Sequence, residues 1–206
     1  MWVGLNERTW GFPLSAGAGS RKRKLWLATV GIGGHLRNMH SILPALMILF
    51  AAVSAAAPEV VPAVDLKRYA GRWHEIARLP NRFQRDCAGD VTATYTLRPD
   101  GKIAVLNECR AADGRTKSAR GTARVASKQG PNTKLKVSFF WPFFGDYWII
   151  GLDPDYRWAL VGGPGRDYLW ILSREPGMDE DLYSRIVDLA KSRGYDVSRL
   201  QKTPRG

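Results

Sequence analysis

The fold of this chain is decided by residues 147–164, which have the sequence YWIIGLDPDYRWALVGGP. Two apolar segments, residues 147–152 and 158–161, flank an Asp-Pro turn, and a Gly-Gly-Pro sequence ends the second segment. Strand-favouring residues bounded by turn residues in this way predict two strands joined by a short connection. A third apolar run at residues 168–172 follows a Pro-Gly turn, so the pattern predicts three consecutive strands.

Five more strands are predicted upstream, and most of them alternate apolar and polar residues. In residues 91–97, Thr occupies every second position between Val, Ala, Tyr and Leu. This period of two is typical of a strand with one buried face. The predicted strands cover residues 73–79, 88–97, 103–109, 116–126 and 134–139, and an aromatic loop covers residues 141–146. Eight strands at short, regular spacing predict an all-β fold, either an eight-stranded antiparallel up-and-down barrel or a sandwich.

One α-helix is predicted after the eighth strand. Acidic residues 179–181 lie in its first turn, Lys191 and Arg193 lie in its last turn, and Gly194 ends it, as the helix dipole and C-cap preferences favour. Its apolar face consists of Leu182, Ile186, Leu189 and Ala190. We expect this face to pack on the outside of the sheet, because the last three strands are apolar on both faces. Residues 196–200 are expected to form a short closing strand.

Composition and charge exclude several classes of protein. The 206 residues are 45% hydrophobic and 11% aromatic, which is too apolar for a disordered chain. Two Cys are too few for a disulfide-built mini-fold, so an apolar core must supply most of the stability. A net charge of +12 raises nucleic acid or an anionic membrane as a partner, but no nucleic-acid-binding motif accompanies the basic residues.

The N-terminal region differs from the rest of the chain and carries six Lys and Arg against one Glu. Residues 41–55 resemble the apolar core of a signal peptide followed by small residues. We therefore predict a signal peptide at residues 39–57, a doubtful extension at 1–38 and one domain at 58–206. The alternative is an uncleaved anchor or a long n-region whose basic cluster, Arg21 to Lys24, stays on the cytoplasmic side. We expect an exported protein of the periplasm or outer-membrane periphery, without a lipid anchor, because no Cys stands directly after the apolar run to become the first mature residue.

Three short motifs resemble the signature regions of the lipocalins. Gly71 and Trp73 lie at the head of the first predicted strand, Asp155 and Tyr156 in the turn before the seventh, and Arg174 at the end of the eighth. The run quoted first is similar to the bacterial outer-membrane lipocalins, relatives of apolipoprotein D. The resemblance implies the closed barrel with one external helix, and it implies non-enzymatic binding or transport of a lipophilic molecule.

An up-and-down strand order places these motifs together at the closed end of the barrel. In the family the arginine packs over the tryptophan ring, a cation–π contact worth about 1–2 kcal/mol when it is partly desolvated. We therefore expect Gly71, Trp73, Asp155, Tyr156 and Arg174 to be structural residues and not ligand contacts.

The same strand order places Cys87 and Cys109 at the open end, on neighbouring strands. In an exported protein this favours a disulfide worth about 3 kcal/mol. The alternative is a free thiol that acts as a nucleophile in a lipocalin-type enzyme, which requires a nearby base. His74 is the single His after residue 57, and it has no partner at a spacing typical of a catalytic or metal site. No metal, cofactor or catalytic residue is predicted.

The predicted ligand site is the barrel interior. Side chains expected to line it are Val91, Ala93, Tyr95, Val105, Leu135, Val137, Phe139 and Tyr147, and those expected at its mouth are Phe83, Trp141, Phe143 and Phe144. Such apolar walls suit a fatty acid or a lysophospholipid, whose head group would meet Tyr95, Tyr147, Arg82 or Arg85. The alternative function is a membrane-associating envelope module that uses the aromatic loops and carries no ligand.

Overall fold

The computed structural model describes residues 56–206, which contain nine β-strands and two α-helices. The strands are β1 (Gly71–Arg78), β2 (Gly89–Leu97), β3 (Ile103–Arg110), β4 (Thr116–Val125), β5 (Lys134–Phe140), β6 (Phe143–Leu152), β7 (Trp158–Gly162), β8 (Leu169–Ser173) and β9 (Gln201–Lys202). The helices are α1 (Leu66–Tyr69) and α2 (Glu180–Ser192), and neither is long and apolar enough to cross a membrane. The predicted extension and all but the last two residues of the predicted signal peptide lie outside the described residues.

Consecutive strands from β1 to β8 pair antiparallel, and β8 pairs with β1, so the sheet closes on itself. At the closure, Trp73 of β1 lies opposite Ala93 of β2. Strand β9 pairs with β1 outside this ring. The predicted eight-stranded up-and-down barrel is therefore confirmed, and the sandwich is excluded. The connections β1–β2, β3–β4, β5–β6 and β7–β8 lie at one end, called here the open end, and the other connections lie at the closed end.

Two apolar clusters explain why β6, β7 and β8 are apolar on both faces. Ile149 and Val161 belong to the cluster that fills the barrel interior, whereas their neighbours Ile150 and Leu160 belong to a second cluster outside it. Helix α2 covers this outer cluster with buried Ile186, as its apolar face predicts. The single main helix on the outside of the barrel is thus confirmed.

Three local predictions differ from the structure. Residues 196–200 do not form the closing strand, because Asp196 accepts a hydrogen bond from the Ser198 amide (3.0 Å) and starts a 3-10 turn; the extra strand is β9. The aromatic loop is shorter than expected, because Phe140 and Phe143 pair across a two-residue turn. The four-residue helix α1 was not predicted, and its sequence signal is the capping carboxylate of Asp65.

Arg174 closes the base of the barrel. Its guanidinium carbon lies 3.9 Å from the centroid of the Trp73 ring, and its nitrogens donate hydrogen bonds to four backbone carbonyls of residues 68–72 (2.7–3.2 Å). Gly71 has a φ of 99° and passes so close that a Cβ there would lie 3.1 Å from an Arg174 nitrogen. A side chain at this position would strain the backbone and crowd the guanidinium.

The turn between β6 and β7 completes the closed end. Tyr156 accepts a hydrogen bond from the Asp65 amide on its hydroxyl (2.9 Å), and its backbone carbonyl accepts one from Arg174 (3.3 Å). The carboxylate of Asp153, and not that of Asp155, holds the turn, because it accepts from the amides of Asp155 (3.0 Å) and Arg157 (3.2 Å). The side chain of Asp155 is exposed.

A disulfide joins Cys87 to Cys109 near the open end, with their Cα atoms 5.6 Å apart. It ties the segment before β2 to the end of β3, and Cys109 is almost completely buried. The predicted disulfide is therefore confirmed. Since these are the two cysteines of the chain, no thiol remains for the alternative of a nucleophilic cysteine.

Candidate functional site

A cavity of about 60 Å3 lies inside the barrel, in the half nearer the open end. Seven of the eight side chains expected to line the interior do so: Val91, Ala93, Tyr95, Val105, Val137, Phe139 and Tyr147. Leu135 is buried in the interior cluster but does not line the cavity. Alternation along β2, β3 and β5 therefore identifies the inner face, because side chains at every second position point to the same side.

The aromatic residues expected at the mouth do not line the cavity. Trp141 is 80% exposed, Phe143 70% and Phe144 40%, because the short turn between β5 and β6 holds them on the outside of the open end. The Phe83 ring lies 5.7 Å from the ring of Tyr168, also away from the cavity. Arg82 and Arg85 are likewise absent from its lining.

Three tyrosine hydroxyls form a cluster, called here the tyrosine cluster, at the inner end of the cavity. The hydroxyl of Tyr147 is 2.7 Å from that of Tyr69 and 2.9 Å from that of Tyr95. Burial raises the pKa of Tyr95 to about 12 and raises the pKa values of Tyr69 and Tyr147 well above the usual range, so all three are neutral at physiological pH. Each hydroxyl can donate one hydrogen bond, and the two hydrogen bonds within the cluster use two of the three hydrogens. One hydroxyl hydrogen therefore remains to bond another acceptor.

The acidic side chain of Glu75 also lines the cavity, and it belongs to a buried polar network. Its carboxylate accepts hydrogen bonds from Gln84 (2.6 Å), Thr203 (2.6 Å) and Arg78 (2.7 Å). Gln84 in turn accepts from the indole N–H of Trp170 (3.2 Å). The network compensates the buried charge of Glu75 and joins β1 to the segment after β9.

Six lining residues escaped the sequence prediction: Glu75, Thr92, Asn107, Asp146, Trp170 and Leu172. Asn107 follows Val105 at the same period of two, so alternation is the signal that could have found it despite its polar side chain. Strand β8 is apolar on both faces, and alternation therefore could not separate the inward Trp170 and Leu172 from their neighbours.

Within residues 56–206, no group of three or more His, Cys, Asp or Glu side chains is arranged to hold a metal ion. The cavity combines apolar walls, neutral hydroxyls, one amide and carboxylates that already have partners, and this arrangement suits the binding of a small molecule.

Comparison with known proteins agrees with this architecture. A family model described as a lipocalin-like domain matches residues 64–205. Temperature-induced lipocalin-1 of Arabidopsis thaliana is 48% identical over 71% of this chain and 82% of its own length. Outer membrane lipoprotein Blc of Escherichia coli is 46% identical over 68% of this chain and 79% of its own length. Mouse apolipoprotein D is 32% identical over 71% of this chain and 79% of its own length.

Solved structures show the same fold. Insecticyanin from the tobacco hornworm superposes with a TM-score of 0.59 at 21% identity, over 73% of this chain and 86% of that protein. The region matched by the family model, residues 64–205, contains the barrel, α2 and both Trp73 and Arg174. Lipocalins bind small hydrophobic ligands, and they are generally binding or transport proteins without enzymatic activity. This chain belongs to the lipocalin family.

Proposed function

We propose that this protein binds or transports a lipid with a long acyl chain, of the fatty acid or lysophospholipid type, in its barrel cavity. The observation that carries the proposal is the apolar cavity inside a barrel whose base is sealed by Arg174 and Trp73 and whose other end is open. At about 60 Å3 the enclosed space is smaller than the ~300–1,000 Å3 of typical ligand pockets. We therefore expect an acyl chain to displace half-buried lining side chains such as Phe139 and Trp170.

Filling the cavity tests this proposal. The variant Ala93→Phe places a phenyl ring on the inner face of β2, and we expect it to weaken binding of a fluorescent fatty acid at least ~10-fold, because the ring occupies the ligand's space. The control is Ala104→Phe, which adds the same ring to the outer face of β3, between inward-facing Ile103 and Val105. Overpacking costs about 1–3 kcal/mol, so urea unfolding must show that both variants are folded.

Native mass spectrometry of protein purified from its own cells gives a second readout of the same test. A wild-type protein that carries no lipid and takes up none would contradict the proposal, as would equal binding by Ala93→Phe and Ala104→Phe.

We place this activity in the cell envelope. Two observations support that location: the predicted export signal at residues 39–57, and relatives that are named outer membrane lipoproteins. A thioether-linked lipid anchor is not part of the proposal, because both cysteines of the chain form the disulfide. Cell fractionation and N-terminal sequencing of the mature protein test the location.

A second candidate function is peripheral membrane association through the open end. Four aromatic side chains with exposed fractions of 40–80% lie at the β5–β6 turn and are called here the aromatic tip: Phe140, Trp141, Phe143 and Phe144. The rings of Phe140 and Phe143 stack at 6.2 Å, and the Arg124 guanidinium lies 4.9 Å from the Phe144 ring. Aromatic rings beside a cation suit the interface of a bilayer with anionic head groups.

Vesicle co-sedimentation separates the two candidates. With vesicles of phosphatidylethanolamine and phosphatidylglycerol, we expect the Trp141→Ala/Phe143→Ala double variant to bind at least ~5-fold less than wild type, because it removes the most exposed rings of the aromatic tip. The filled-cavity variant Ala93→Phe serves as the control, and it should sediment like wild type. Equal sedimentation of the double variant and wild type would exclude the aromatic tip as a membrane anchor.

A further inference from the structure

The charged groups around the cavity are already paired with partners outside its lining. Two carboxylates, Glu75 and Asp146, line the cavity, whereas no Lys or Arg of residues 56–206 does. Glu75 pairs with Arg78 at 2.7 Å, and Asp146 pairs with Lys136 at 2.8 Å. A ligand carboxylate inside the cavity would therefore lie near two acidic side chains, buried Glu75 and partly exposed Asp146, with no cation among the described lining residues to pair with it. Burying an unpaired charge in this way is strongly unfavourable.

In contrast, an uncharged polar group on a ligand can form a hydrogen bond with the side chain of Asn107. This residue lies opposite Ala93 on one side and Ala119 on the other, and its side chain lines the cavity. Its amide oxygen is buried and has no hydrogen-bond partner among the described residues. The unpaired oxygen can accept a hydrogen bond from a ligand hydroxyl, and the NH2 group of the same amide can donate one to a ligand carbonyl.

The tyrosine cluster supplies the second polar point of the same cavity. Tyr95 and Tyr147 both line it, and the cluster has one hydroxyl donor more than its internal hydrogen bonds use. The desolvation that raises the pKa of Tyr95 to about 12 opposes the formation of any anion at this depth, including an anion on the ligand. The surroundings of the tyrosine cluster thus favour a ligand whose hydrogen-bond acceptor is neutral.

We propose that the cavity selects lipids whose buried polar group is uncharged, an ester carbonyl or a hydroxyl, bound by Asn107 and the hydroxyls of Tyr95 and Tyr147. A charged head group, such as the phosphate of a lysophospholipid, then lies outside the cavity at the open end. This inference rests on the proposed lipid-binding function and narrows it, because it disfavours a free fatty acid whose carboxylate enters the barrel.

The test compares two lipids that share one acyl chain, monooleoylglycerol and oleate, as competitors of the uncharged dye Nile red on the purified protein. We expect monooleoylglycerol to compete at least ~10-fold more strongly than oleate. The variant Asn107→Leu should lower the affinity for monooleoylglycerol about 5- to 10-fold, the effect of one lost hydrogen bond, and change the affinity for oleate less than ~2-fold. Tyr147→Phe removes one hydroxyl of the tyrosine cluster, so it should also lower the affinity for monooleoylglycerol more than that for oleate. The control Glu108→Gln changes the neighbouring outward position of β3 and should leave both lipids unaffected.

The outcomes distinguish this inference from the function on which it rests. If oleate competes as well as monooleoylglycerol, and Asn107→Leu affects neither, the cavity binds lipid but does not select an uncharged polar group, and the inference is overturned alone. If neither lipid nor Nile red binds to wild type, the lipid-binding function fails as well. Loss of both lipids in Asn107→Leu would indicate a general packing role for Asn107, which also overturns the inference.

Discussion

Replacing Trp73 by alanine is expected to lower the free energy of unfolding by about 3–5 kcal/mol. The side chain is completely buried at the base of the barrel, where it contacts the Tyr69 ring at 5.0 Å and lies under the guanidinium of Arg174. Its indole N–H donates to the Tyr69 carbonyl at 2.8 Å. Alanine would leave a cavity, a Tyr69 carbonyl with only its longer hydrogen bond from Arg174 (3.2 Å), and an arginine without its ring, and all three effects destabilise the folded barrel.

Urea denaturation followed by circular dichroism measures this effect. Trp141→Ala is the matched control, because Trp141 is 80% exposed and its removal should change stability by less than about 0.5 kcal/mol. Trp73→Phe keeps most of the buried volume, so its free energy of unfolding should fall clearly less than that of Trp73→Ala. This variant still gives a measurable unfolding transition if the alanine variant does not fold. Similar losses for Trp73→Ala and Trp141→Ala would contradict the proposed structural role of Trp73.

Removing the disulfide is expected to cost about 3 kcal/mol of unfolding free energy. Cys87 and Cys109 are 22 residues apart in sequence, and the bond restricts the unfolded chain by closing that loop. It also ties the segment before β2 to the end of β3, and residues of both strands line the cavity. The suitable variant is Cys87→Ala/Cys109→Ala, because serine at the buried position 109 would place a hydroxyl where a sulfur now packs.

The measurement compares urea midpoints for the double variant, the oxidised wild type and the wild type with reductant. We expect the variant and the reduced wild type to unfold at similar, lower urea concentrations. The slope of the transition must be compared too, because the disulfide changes the unfolded state as well as the folded one. Coinciding midpoints for oxidised and reduced wild type would show that the bond adds no stability.

Together these features divide the barrel into two halves with different roles. The base is fixed by Arg174, Trp73 and the turn that holds Tyr156, whereas the other half contains the cavity and the open end. Ligand entry at the open end therefore need not disturb the contacts that contribute most to stability. Substitutions of lining residues such as Asn107 and of base residues such as Trp73 should accordingly have separable effects on binding and on unfolding.

The strand pattern and the turns were predictable because their signals are local. Alternation in β2 placed Val91, Ala93 and Tyr95 on the inner face, and the cavity confirms that parity. A period of two needs nothing beyond neighbouring residues in the same strand. The short helix α1 and the 3-10 turn at Asp196 were missed, because a few residues around one capping carboxylate give a weak signal.

The chemistry of the cavity was not predictable in the same way. Glu75 lies inside the barrel because Arg78, Gln84 and Thr203 surround its carboxylate, and Thr203 is more than 120 residues away in sequence. The tyrosine cluster likewise joins side chains from α1, β2 and β6. Irregular register in β1 near Glu75 and in β2 before Thr92 shifts which side chains meet.

By itself, the sequence predicted eight antiparallel strands and one external helix, because alternation and turn residues fix the direction of each strand and the face of each side chain. The resemblance of its three motifs to the lipocalins implied the closed barrel and the packing of Arg174 on Trp73 at the base, and strand order brought the two cysteines close enough to favour the disulfide. Only the tertiary structure decided that the aromatic tip stays outside the cavity, and that an unpaired amide and a spare tyrosine hydroxyl lie within it. The reason is physical: closure of the sheet brings distant strands together, and hydrogen-bond partners across that closure depend on register and depth, which no single strand encodes.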